Sequence, residues 1–135
     1  MSIETESGPE ELDCGALVVR GARVAVDSKE DAGGASGALD RGSALSFAGL
    51  WAGVTSLAPE SKSSPHHHGP QATIIFVLSG QMSVVIADEG GRLEIGPGDF
   101  AAVPAGVVHW EVNVSDEPCR SVVVRTGETP VVVDA

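Results

Sequence analysis

The chain has 135 residues, with 8 Lys+Arg against 19 Asp+Glu and a formal charge of -11. That length suits one domain. The acidic excess excludes nucleic acid and anionic membrane surfaces as partners, because both are bound through Lys and Arg.

Residues 1–13 (MSIETESGPEELD) carry five acids and no Lys or Arg. They read as an acidic flexible arm ahead of a single domain over 14–135. They lack the basic start and apolar stretch of a secretory signal. No apolar run approaches the ~20 residues that span a bilayer. The expected compartment is the cytoplasm, with Cys14 and Cys119 as free thiols.

From Ala16 onward the chain is rich in Val, Gly and Pro. Short apolar runs separated by turn residues predict strands near 16–26, 45–57, 71–78, 82–87, 92–95, 100–103, 108–114, 120–125 and 130–133. Residues 27–43 (DSKEDAGGASGALDRGS) read as a long polar loop. Turn signals recur at Ser79-Gly80, Gly90-Gly91, Pro97-Gly98 and Pro104-Ala105-Gly106. This spacing predicts an all-β fold, an antiparallel sandwich or barrel.

Three of the four histidines are consecutive, His66, His67 and His68, and the fourth, His109, follows the Pro104-Ala105-Gly106 turn. Residues two apart in a strand share a face. His66 and His68 can therefore present imidazoles together while His67 points away, and a distant His109 would complete a metal site. Three adjacent histidines could also be no more than a polar loop. Glu111 lies two residues beyond His109 and shares its face by the same alternation. A carboxylate inside an apolar barrel is costly unless paired. Glu111 could supply counter-charge to a divalent ion or act as general acid or base beside it; a bulge would turn it outward instead. Ile75 and Val77 share the face of Thr73, so the wall near the site should be apolar. Phe47 and Trp51 fall on one parity of the predicted strand 45–57 and could line a pocket mouth or pack in the core.

Residues 98–113 (GDFAAVPAGVVHWEVN) resemble the second cupin motif, G-x5-P-x-G-x2-H-x3-N, at Gly98, Pro104, Gly106, His109 and Asn113. Residues 66–80 (HHHGPQATIIFVLSG) resemble the first cupin motif at His66, His68 and Gly80. The resemblance implies a cupin-type jelly-roll barrel with its motif region over 66–113. It also implies metal ligation by His66, His68 and His109. The carboxylate of the first motif is missing: its slot falls on Thr73. Gln71 shares the face of Thr73 and could ligate through its amide oxygen or hold a metal-bound water. Asn113 is expected to cap a strand end or turn. The chain is also similar to a smaller group of single-domain cupins with HHHG before a strand ending in Ser-Gly. In many of these a His occupies the position of Gln71, and some are aromatic polyketide cyclases with a histidine-held zinc.

The expected function is a metal-dependent enzyme on a small hydrophobic organic substrate. A divalent transition metal (Zn, Fe, Ni or Mn) would act as Lewis acid at His66, His68, Gln71 and His109, with Glu111 moving protons. The resemblance implies cyclisation or isomerisation. The alternatives are a three-histidine dioxygenase and a non-catalytic binder of a metabolite or metal. The resemblance also implies a homodimer, with the Val-rich 120–133 region as its interface.

Overall fold

The computed structural model describes residues 10–21, 28–29 and 38–135. Most of the acidic arm, residues 22–26 of the strand expected over 16–26, and the middle of the loop expected over 27–43 lie outside the described residues; within 16–21 only Leu17–Val18 is strand. The described strands are β1 (Glu10–Glu11), β2 (Leu17–Val18), β3 (Ser28–Lys29), β4 (Leu39–Phe47), β5 (Leu50–Leu57), β6 (Ser61–Lys62) and β7 (His66–His67). They continue with β8 (Thr73–Ser79), β9 (Met82–Ile86), β10 (Gly91–Ile95), β11 (Phe100–Val103), β12 (His109–Asn113), β13 (Cys119–Thr126) and β14 (Val133–Asp134). Among the described residues there is no α-helix, and no helix long and apolar enough to cross a membrane.

All pairings are antiparallel. One sheet runs β11-β8-β13-β5-β4-β3. The other runs β10-β9-β12-β7-β14, with β6 also on β12. β1 and β2 form a separate hairpin. The expected all-β antiparallel sandwich is therefore the observed fold. Its core draws Leu39, Leu57, Ile75, Val77, Val103 and Cys119 from the first sheet and Met82 and Val84 from the second. Strict alternation makes this possible. In β13 Cys119, Ser121, Val123 and Arg125 are buried and the residues between them are not.

Three boundaries differ from the expectation. The strand predicted over 45–57 is two strands of a hairpin, with Phe47 opposite Leu50. Ala48 (φ 52°) and Gly49 (φ 80°) both sit in the left-handed region and reverse the chain. That is the geometry of a two-residue hairpin turn. An Ala at positive φ is uncommon, so Phe-Ala-Gly-Leu-Trp reads locally as continuous strand. The hairpin separates the two aromatics expected to share a face. Phe47 is 54% exposed and Trp51 1%.

Residues 39–43, expected in the loop, belong to β4, and Leu39 is in the core. Their Asp, Gly and Ser content favours loop, but pairing with β5 prevails, as tertiary context often does for strands. Gly53 packs there so closely that a Cβ would lie 2.5 Å from the Gly42 carbonyl oxygen. Finally, the strand expected at 130–133 pairs only over Val133–Asp134, against His66 and His67 of β7.

Candidate metal centre

The second sheet holds two of the imidazoles side by side. His66 in β7 pairs directly with His109 in β12. The turn Pro104–Gly106, closed by the Val107 N–H donating to the Pro104 carbonyl (3.4 Å), leads into the strand that starts at His109. His66 and His68 turn inward and are buried, at 0% and 3% exposed. His67 is half-buried, and its Nδ1 accepts the Gly69 N–H at 3.0 Å. Ligand nitrogens of His66, His68 and His109 all lie within 4.8 Å of one another.

Each of these imidazoles has its Nδ1 on a backbone carbonyl. His66 Nδ1 meets Ser64 O at 2.7 Å, His68 Nδ1 meets Val131 O at 2.8 Å, and His109 Nδ1 meets Val107 O at 2.9 Å. A carbonyl only accepts, so each Nδ1 carries the hydrogen and each neutral ring keeps its lone pair on Nε2. This outer bonding fixes ring orientation and tautomer in metal-binding histidines generally.

Glu111 also faces inward and is 5% exposed. Its Oε1 accepts the Ser63 hydroxyl at 2.7 Å, and its backbone N–H donates to the same Ser63 Oγ at 2.9 Å. Its carboxylate lies 3.3 Å from His109 Nε2 and 3.8 Å from His66 Nε2. Burial pushes the Glu111 carboxyl upward. The His109 hydrogen bond, the charges of His66 and His109 and the Ser63 hydroxyl outweigh burial and hold it well below the usual carboxylate range. Burial pushes His109 down, but hydrogen bonding and charge from Glu111 raise it overall. For His68, burial and then the Arg125 charge lower the pKa to about 3.

A divalent metal fits this donor set. Nε2 of His66 is buried with no hydrogen-bond partner, and the three imidazoles stand together beside one carboxylate. Three protein ligands with an open position is the pattern of catalytic zinc sites.

Gln71 stands differently from the ligand role expected of it. Its amide oxygen accepts the Val131 N–H at 2.9 Å and its amide nitrogen donates to Thr129 O at 2.7 Å. It therefore reaches His68 through Val131, whose carbonyl carries the His68 ring. Asn113 organises the 113–117 turn, donating to the carbonyls of Leu57 (3.2 Å) and Glu117 (2.7 Å) and accepting from Ser115. Thr73, in the slot of the missing carboxylate, accepts Arg125 Nε–H at 3.2 Å.

Arg125 and Ser63 were not foreseen as site residues. Alternation along Cys119–Arg125 was a usable signal, since it places Arg125 on the face of Val123 and Ser121. Ser63 carried no such signal, because its partner lies 48 residues away. The cavity between these groups is small, about 20 Å³, and its lining includes His68, Thr73, Ile75, His109, Glu111 and Arg125. Its apolar wall includes Ile75, as expected. Its size suits a single water or ion, whereas the sequence had suggested a roomier hydrophobic pocket.

Residues 53–125 match the family described as Cupin domain. The chain is a cupin. Among curated proteins this cupin is 29% identical over 89 residues to a probable germin-like protein, subfamily 2 member 5, of Arabidopsis thaliana. That match covers 64% of the chain and 42% of the relative. It is 28% identical over 95 residues to germin-like protein 3-7 of Oryza sativa subsp. japonica, covering 68% and 41%. The cupin thus spans less than half the length of the curated relatives it matches. Among solved structures it is similar to the polyketide cyclase RemF from Streptomyces resistomycificus, with a TM-score of 0.68 and 24% identity over 82% of this chain and 80% of that one. It is also similar to a sugar phosphate isomerase from Silicibacter pomeroyi, with a TM-score of 0.53 and 32% identity over 64% and 59%.

Proposed function

We propose that this cupin is a metal-dependent enzyme that moves protons on a small organic molecule, as in an isomerisation or cyclisation. The observation that carries the reading is the Nδ1 bonding of His66, His68 and His109, which leaves the Nε2 of each ring to ligate, with ligand atoms of the three rings within 4.8 Å of one another. When bound there, a divalent ion supplies Lewis acidity toward a carbonyl or enolate oxygen. The chain's own residues do the rest. Glu111, buried and hydrogen-bonded by Ser63, takes or returns the proton at its carboxylate. Gln71 and Val131 hold the ring of His68 in place. Ile75 and Val123 keep bulk water from the reacting atoms.

A buried carboxylate beside the imidazoles gives proton transfer an acceptor, and imidazoles with a carboxylate also hold iron in oxygenases, so the metal decides between them. Oxygen consumption by the iron-loaded protein is the measurement that would reverse the choice of proton transfer. The similarity to a polyketide cyclase supports cyclisation through fold alone.

The deciding experiment is elemental analysis of protein purified without tag or chelator. One divalent ion per chain is expected, lost in His66→Ala, His68→Ala and His109→Ala and retained in His67→Ala. No metal after purification and none taken up on titration would sink the proposal.

The same reading includes a homodimer and a reducing, cytoplasmic setting. Cys14 and Cys119 are unbridged, which fits the latter. For the former, the outer face of the β11-β8-β13 sheet exposes Ile74 (51%), Leu78 (45%) and Phe100 (71%), next to the half-buried Val122 and Val124. Exposed apolar residues grouped on one face mark interaction surfaces.

A further inference from the structure

β10 ends the second sheet and pairs on one side only, with β9. A sheet edge presents a row of unpaired N–H and C=O groups, a template for further pairing unless it is short, bulged or guarded by Pro or Lys. The other described ends of the two six-stranded sheets are shorter: β3 and β14 have two residues each and β11 has four. β10 has five, Gly91–Ile95, in unbroken register with β9 and with no Pro or Lys. Leu93 stands opposite the fully buried Val84, and cross-strand neighbours share a face. Leu93 is nonetheless 47% exposed, because no strand lies beyond it to cover its side chain. Arg92 and Glu94 alternate to the other face, where both line a groove of about 470 Å³. Among the described residues neither is in an ion pair.

The charge pattern of this strand is complementary to itself. A two-fold contact uses the same patch on both copies. When two copies of β10 run antiparallel about an axis at Leu93, Arg92 of each copy stands opposite Glu94 of the other. Leu93 then meets Leu93 on the axis, and each gains the cover that its own sheet does not supply. Moving the axis one residue either way sets Arg92 against Arg92 or Glu94 against Glu94. Opposite charges directly across a strand pair stabilise it and like charges destabilise it. Charge therefore selects one register of the pairing.

We propose that β10 is an interaction surface for a second copy of this chain, joined edge to edge through Gly91–Ile95 into one continuous antiparallel sheet. The contact lies on the other sheet from Phe100, so it is separate from the dimer surface named above and does not depend on a metal. It sets the two grooves beside Arg92 and Glu94 next to each other across the axis. Five residues per copy bury a small area, and interfaces that small are weak and concentration-dependent.

The test is sedimentation velocity of the full chain over a concentration series at low salt, where surface charges are least screened. The samples are wild type, Arg92→Glu, Glu94→Arg, the double variant carrying both changes, and an equimolar mixture of the two single variants. Each single variant turns both charge pairs at the axis into like pairs. Each is expected to move self-association to roughly 10-fold higher concentration. The double variant exchanges the charges and is expected to restore wild-type behaviour. So is the mixture, because one variant brings two acids to the edge and the other two bases. Net charge alone would move the two single variants in opposite directions. Single variants that sediment as wild type, or a double variant and mixture that stay dissociated, overturn the pairing and leave the edge to an extended segment of a different protein. A wild type that does not self-associate at any concentration overturns it as well. Association through the outer face of the first sheet is the same in every sample, so its success or failure is read separately from Phe100→Lys.

Discussion

The carbonyl oxygen of Val131 holds the Nδ1 of His68 at 2.8 Å, across 63 residues of chain. The C-terminal segment therefore sets the tautomer of an imidazole near the middle of the sequence. Gln71 ties the same segment down by accepting the Val131 N–H and donating to Thr129 O. β14 adds a second tie, pairing Val133 and Asp134 with His67 and His66.

Gln71→Ala should loosen that segment without touching a candidate ligand. Residues that orient metal ligands typically contribute 10- to 100-fold in affinity. A loss of about that size is expected in a competition titration against a chelator. Unaltered affinity would mean that Val131 holds His68 without help from Gln71.

Metal removal should lower the melting temperature of the wild-type protein. An ion that binds only the folded state adds about 2.7 kcal/mol at a free concentration 100-fold above its Kd. Thermal melts with and without chelator should separate for wild type and coincide for His109→Ala.

Ser63→Ala should destabilise the fold by about 1–3 kcal/mol, measured by urea unfolding, because Glu111 Oε1 loses its hydroxyl donor inside the barrel. A variant as stable as wild type would show that the carboxylate finds another donor.

The two cysteines should differ in reactivity. Cys119 is buried, and burial raises its thiol pKa above the usual value, so less thiolate is present at neutral pH. Cys14 is exposed. Iodoacetamide should label one thiol per chain in native buffer and two in denaturant, counted by mass spectrometry. Rapid native labelling of Cys119 would contradict its burial.

Phe100→Lys should shift the assembly toward monomer in analytical ultracentrifugation, with folding intact by circular dichroism. Phe100 is 71% exposed and leans on Phe76 at a ring-centroid distance of 4.6 Å. A wild-type monomer at micromolar concentration would remove the dimer from the reading.

Much of the site was legible because strand alternation is a local rule. It grouped His66 with His68, turned His67 away and set Glu111 beside His109; His66, His68, His109 and Glu111 are buried, and His67 is half-buried. Gly80 was legible as a turn, and packing gives it a second reason. At φ 80° its Cβ position would fall 2.4 Å from the Pro118 carbonyl oxygen, so a side chain there meets backbone. The Ala48–Gly49 reversal was not legible, because positive φ at an alanine has no local signature.

The sequence by itself determined the fold class, the inward imidazoles and the turn that introduces His109, since turn chemistry and two-residue periodicity act within a few bonds. Only the tertiary structure decided what each of those groups meets. Arg125 reaches His68 across 57 residues, Ser63 reaches Glu111 across 48, and Val131 reaches His68 across 63. Those meetings depend on which strands pair and in what register, and that is fixed by burying both inner faces at once.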